Sequence, residues 1–145
     1  MIHQKDLRLG DLVQITVDLL EYKQSDTFVV IDISEDYIGL RSPDKSDGRP
    51  DMYTIGDHIE GIPLTPDILE KNGWNKRHDP TSSCDIYSKG KGAFYVSLEQ
   101  SIYKKQEGFE LVVADSTYRF GNKIQYVHQL QHILWALGLD ANLKI

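Results

Sequence analysis

An α+β fold is expected from three features of this chain. Short β-rich segments crowd its first sixty residues, a sharply capped helix follows, and an amphipathic helix lies near its end. The 145 residues, 40% of them apolar, are enough for a domain-sized core without a metal or disulfide staple.

The N-terminal strands come first. DLVQITV (11–17) follows Gly10, and TFVVIDI (27–33) is rich in β-branched residues. After the SED turn comes YIGLRS (37–42), and MYTI (52–55) makes a fourth strand. Between the last two, PDKSDGRPD (43–51) holds Pro43, Pro50, Gly48 and three aspartates, so it reads as a loop. Several strands at such short spacing predict an SH3-like small barrel, a fold that selects no single function.

The middle helix is placed at 65–72 in TPDILEKNGW. Thr65 is its N-cap, Pro66 occupies the first turn where its missing N–H costs nothing, and Asp67 complements the dipole. Asn72 and Gly73 end it, with Trp74 packing just past the cap. Residues 1–74 therefore form an expected strand-rich subdomain, and the polar NKRHDPTSS (75–83) an expected linker. In 84–145 a small antiparallel sheet is expected under a C-terminal helix. CDIYSKGKG leads into AFYVSLEQ, where Phe94, Val96 and Leu98 alternate with Tyr95, Ser97 and Glu99 as in a strand with one buried face. FELVVAD (109–115) and TYRF (117–120) add strands, Gly121-Asn122 reads as a turn, and the helix is expected at 124–137, closed by Gly138.

Charge is uneven. Through Gly73 the chain has 7 Lys+Arg and 15 Asp+Glu, a balance of -8; from Trp74 onward it has 9 and 7, a balance of +2. The acidic half repels phosphate backbones, so bulk duplex binding is disfavoured. No apolar run reaches the roughly 18 residues that span a bilayer, and MIHQKDLRLGD has no signal-peptide core, so a cytoplasmic protein with no membrane partner is expected. The lone Cys84 permits no intramolecular disulfide and fits a reducing compartment. With no lysine or helix N-terminus immediately beside it, an inert thiol is the better reading.

HQLQH (128–132) carries the nearest thing to chemistry. Two histidines at i and i+4 can reach one ion, but Gln129 stands where HExxH places its glutamate, and an amide cannot serve as general base. A third ligand would have to come from His3, His58, His78 or one of the many carboxylates, which the sequence does not place. No metal, cofactor or catalytic residue is assigned. Projected at about 100° per residue, Tyr126, Val127, Leu130, Ile133, Leu134 and Leu137 share one apolar face. His128, His132 and Trp135 fall opposite, with Gln131 near one edge. A tryptophan is costly to leave wholly exposed, so that face should be covered by the first half of the chain, a second copy or another protein. His128, Gln131, His132 and Trp135 thus form the candidate interaction surface of a non-enzymatic binding or protein-interaction module.

Two other functions are compatible with the sequence. Tyr87, Tyr95, Tyr103 and Tyr118 could stack bases, which makes single-stranded nucleic acid a less favoured partner. A metal-dependent enzyme ranks below that. The aspartate loop fails as a calcium site, because a glycine in sixth position at Gly48 puts Pro43 and Lys45 where ligands are needed. Phosphate-loop, dinucleotide and serine-elbow patterns are missing from the sequence.

Three stretches, DLRLGDLV, IPLTPDILEKNGW and IQYVHQLQHILWALGL, together resemble a group of small proteins widespread in Bacteroidetes bacteria and their phages and mobile elements. They keep that group's order and span nearly the whole chain. The resemblance implies a cytoplasmic accessory protein of prophage or mobile-element origin, and brings no activity, cofactor or catalytic residue with it. Since HQLQ belongs to the shared wording while His132 falls where the group varies, it also argues against a paired metal site.

Overall fold

The computed structural model describes residues 2–90, 96–113 and 118–145. It is an α+β fold with two antiparallel five-stranded sheets. The chain divides into two units, Met1–Pro63 with Tyr126–Ile133, and Leu64–Gln125 with Leu134–Ile145. Each unit therefore takes a later segment of the chain, so the expected division after residue 74 is displaced to 63 and loses its simple sequential order.

In the first unit, β1 (Leu12–Ile15), β2 (Thr27–Ile33), β3 (Ile38–Arg41), β4 (Met52–Thr54) and β5 (Ile59–Gly61) lie in the order β4-β3-β2-β1-β5. This sheet is open. β4 and β5 are its edges and do not pair, so the closure of an SH3-like barrel is not formed. Val13, Ile15, Phe28, Val30, Ile38, Leu40 and Ile59 point to one side and make the core, as period-two alternation requires. Tyr22 closes one end of it with its ring edge-on to Phe28 at 4.9 Å.

The pairing of β2 with β3 has one irregularity. Val30 faces Leu40 but Asp32 faces Gly39, so β2 spends two residues on one residue of β3. Such a bulge reverses the inward-outward sense of the strand. Asp32, which alternation would put in line with Phe28 and Val30, is exposed instead.

In the second unit, α1 (Pro66–Lys71) is built as the sequence dictates. Thr65 Oγ1 accepts the Ile68 N–H at 3.3 Å, a cap of about 1 kcal/mol. Gly73, at φ +82°, donates to Glu70 O while Trp74 donates to Leu69 O, the paired bonds of a Schellman close. Trp74 and Leu69 are both buried, which supplies its apolar contact. The Asn72 side chain then holds the chain terminus, donating to Lys144 O at 2.7 Å and accepting from Lys144 N at 2.8 Å.

The second sheet runs β10-β9-β8-β7-β6, with β6 (Asn75–Asp79), β7 (Cys84–Lys89), β8 (Val96–Ser101), β9 (Phe109–Val113) and β10 (Tyr118–Ile124). The expected linker is largely strand. Residues 75–79 pair in register with β7, and their polar sequence suits an edge that four exposed side chains line. Gly121-Asn122 is likewise no turn but a bulge inside β10, where Phe120 faces Leu111 and Lys123 faces Glu110. Ser97 and Gln100 are buried along with Val96 and Leu98, so β8 is covered on both faces rather than one. Phe94 and Tyr95 lie outside the described residues.

The last helix, α2 (Val127–Ala136), is shorter than expected because Ile124 ends β10. Its start is set by Gln129, whose Oε1 accepts the Tyr126 N–H at 3.1 Å, the backward half of a capping box. Gly138 at φ +69° donates to Trp135 O and Leu139 donates to Leu134 O, a second Schellman close. No helix among the described residues is long and apolar enough to cross a membrane.

Candidate functional site

Most of the HQLQH segment meets the N-terminal end of β1 in the first unit. In LRLGD the chain turns so that Asp11 N–H donates to Arg8 O while Arg8 N–H donates to the Asp11 carboxylate at 2.8 Å. That turn carries Asp11 inward, where it is 0% exposed. A buried carboxylate must be hydrogen-bonded to be tolerated. His132 answers this, its Nε2 lying 2.8 and 2.9 Å from the two carboxylate oxygens.

Beside it, Gln131 works as a piece of backbone. Its Oε1 accepts the Leu12 N–H at 2.8 Å and its Nε2 donates to Gly10 O at 3.1 Å. These are the two bonds that a neighbouring strand would make around Asp11. The side-chain amide thus continues the β1 edge beyond the residues paired with β5, which begin at Val13.

His128 completes the cluster. Its ring lies nearly parallel to Tyr126 and edge-on to His132, with centroids 5.8 Å away in each case. Burial pushes its pKa below 6.5, against the upward pull of Asp11; His132 pushes it further down and Asp6 raises it. Its Nδ1 is buried without a hydrogen-bond partner among the described residues. A cleft of about 270 Å³ opens beside it, lined also by Ile2, His3, Asp6, Tyr126, Gln129 and His132. Those lining side chains include no serine, threonine or cysteine for an Asp-His pair to activate.

Of the three coverings expected for the His128, Gln131, His132 and Trp135 face, the first half of the chain supplies one for three of the four residues. His128 and Gln131 are buried and His132 is half-buried, while Trp135, which belongs to the second unit, keeps 37% exposure. Val127, His128, Leu130, Gln131 and Leu134 form the buried side of α2, roughly a quarter-turn from the arc that apolar projection selects. Ile133 is half-buried, and Tyr126 and Leu137 are exposed. The rotation has a cause in hydrogen bonding, since β1 offers Gly10 O, Leu12 N–H and the Asp11 carboxylate to polar side chains.

His132 Nε2 is committed to Asp11, and no group of three metal-ligating side chains occurs among the described residues. His78 is set against Asp85 at 3.0 Å, and Cys84 Sγ lies 3.4 Å from Ser82 O. Tyr87 is fully buried against the Phe109 ring, so it cannot belong to a stacking platform. Tyr103 is exposed in the turn after β8. In the aspartate loop, Asp51 accepts from Lys45 Nζ at 2.5 Å and from Ser42 N–H at 2.7 Å. The lysine and then that N–H hold the Asp51 carboxyl below its ordinary value, so the loop is closed by its own residues.

No family model, curated protein or solved structure matches the chain. Its surface must be read from its own chemistry.

One feature escaped the sequence. On the outer face of the first sheet, Tyr37 is 55%, Tyr53 58% and Ile55 44% exposed. Tyr53 faces Gly39 across β3 and β4, while Tyr37 immediately precedes β3 and Ile55 immediately follows β4, next to the paired residues Ile38 and Thr54; strand alternation carried one residue further puts all three on the side away from the core. A Cβ on Gly39 would lie 2.7 Å from Asp32 Cβ, 3.2 Å from Tyr53 Cε1 and 3.3 Å from Pro50 Cγ. The glycine leaves room over the strand for Asp32, Tyr53 and Pro50 to approach it from three sides.

Proposed function

We propose that this chain is a non-enzymatic protein-interaction module, an accessory protein of phage or mobile-element origin acting in the cytoplasm, and that its contact surface is the outer face of β3 and β4. The observation that carries the reading is the grouping of Tyr37, Tyr53 and Ile55 on that face. Three large, partly apolar side chains side by side at a sheet edge are a contact signature, whereas scattered exposed apolar residues need no explanation. The α2 face is a weaker candidate because its polar groups are occupied inside the first unit. Single-stranded nucleic acid is disfavoured by the burial of Tyr87 and by the acidity of the half that bears the patch.

A photo-crosslinking amino acid placed at position 37 or 55 in the producing host tests the surface. It should trap a discrete protein adduct, while the same group at Leu20, which is more exposed than any of the three, should not. Equal trapping at all three positions, or none at 37 and 55, rejects the surface.

A further inference from the structure

We infer that the outer edge of β4 receives an extended, lysine- or arginine-bearing peptide segment as an added strand, with one cationic side chain resting on Tyr53 beside Asp32. This rests on the interaction-module reading and names the partner's chemistry.

Three observations converge. The two edges of the first sheet are treated differently. β5 is occupied on its outer side, where Ile2 N–H donates to Ile59 O, Pro63 bridges Tyr126, and the Tyr126 ring covers Gly61. On β4, Met52–Thr54 carries no charge and no proline, and no strand pairs its outer side among the described residues. An uncovered edge of this kind is a template for strand addition.

The second observation is Tyr53 with Asp32. The bulge in β2 turns Asp32 outward, and Asp32 and Tyr53 each face Gly39, from β2 on one side and β4 on the other. An aromatic face with a carboxylate at its side suits an ammonium or guanidinium, through the ring quadrupole and charge attraction together. The third is the surrounding charge. Glu35 and Asp36 precede Tyr37, and Asp57 follows Ile55. Of the nearby cations, Lys45 is paired to Asp51 and the charge of Arg41 also acts on Asp51, which leaves Arg49, beside Pro50, against the four carboxylates of Asp32, Glu35, Asp36 and Asp57. The field over the patch therefore favours a basic segment and repels an acidic one.

The test uses the full chain and three synthetic eleven-residue peptides of alternating threonine and valine, with the central residue lysine, glutamine or glutamate. Binding is followed by amide chemical shifts and hydrogen exchange. The lysine peptide should perturb and protect amides within Met52–Ile55 and bind about three- to fivefold more tightly than the glutamine peptide, with the glutamate peptide weaker still. Asp32→Asn should remove most of that preference while leaving the glutamine peptide unchanged. Tyr53→Ile, which keeps a strand-forming side chain over Gly39, should do the same.

Equal affinity for all three peptides, or shifts confined to other strands, overturns the inference. So does protection of Met52–Ile55 that grows with protein concentration in the absence of peptide, because the occupant would then be a second copy. Crosslinking at 37 and 55 alongside peptide failure would reject the basic strand while leaving the interaction surface standing. Loss of both would remove the surface as well.

Discussion

At the scale of single residues, the most informative side chain is Gln131, since it supplies both hydrogen bonds that strand pairing leaves open around Asp11. Gln131→Leu conserves bulk and helix propensity but strands the buried Leu12 N–H and the part-buried Gly10 C=O. The loss expected is about 2 to 4 kcal/mol in denaturant unfolding, with the Leu12 amide passing to fast hydrogen exchange. Normal protection at Leu12 would refute the role. His128 makes a pH-dependent prediction. Its folded pKa lies below 6.5, so an unfolded chain takes up its proton at a higher pH than the folded one. The stability contributed by the neutral ring is complete above 6.5 and is lost as the pH falls through the folded value. Unfolding midpoints should drop on moving from about pH 7.5 toward pH 5, and His128→Leu should flatten that slope. An unchanged slope in the variant would assign the effect to other groups.

At the scale of elements, legibility followed local chemistry. α1 could be read residue by residue, because Thr65, Pro66 and Gly73 act on backbone groups within a turn of themselves. β2 was legible to its ends, Thr27 and Ile33, because β-branched residues crowd it. The failures share a different cause. β6 is a polar edge strand, and exposed edges and linkers select the same residues. Gly121-Asn122 favours a turn and a bulge alike, and only pairing with β9 separates them. For α2 the helix was readable but its orientation was not, because apolar projection gives no weight to a glutamine or histidine whose partners lie 119 to 121 residues away. The same limit applies to the site. Asp11, Tyr53 and Asp32 look ordinary in sequence, and a turn, a glycine and a bulge give them their positions.

At the scale of the whole molecule, the order of the units along the chain differs from a simple two-domain string, and this can be tested by cutting it. The sequence invites a break after Trp74, yet the first unit includes Tyr126–Ile133. A 1–74 fragment keeps all five strands of the first sheet but leaves the Asp11 carboxylate without His132, Gly10 and Leu12 without Gln131, and Ile62 O without the Val127 N–H. Uncompensated buried groups of that kind cost about 1 to 3 kcal/mol each, and more for the charge, against a total stability of only about 5 to 15 kcal/mol. The fragment should therefore show collapsed amide dispersion and no cooperative melt. The remedy follows from topology, since Pro63 and Tyr126 are antiparallel bridge partners that a two-residue Asn-Gly turn can join. A chain of 1–63, Asn-Gly and 126–137 restores the missing donors and acceptors, and its amide spectrum should regain dispersion with Leu12 protected. A well-dispersed 1–74 fragment, or a joined chain as disordered as that fragment, would show that the α2 segment is not what completes the first unit.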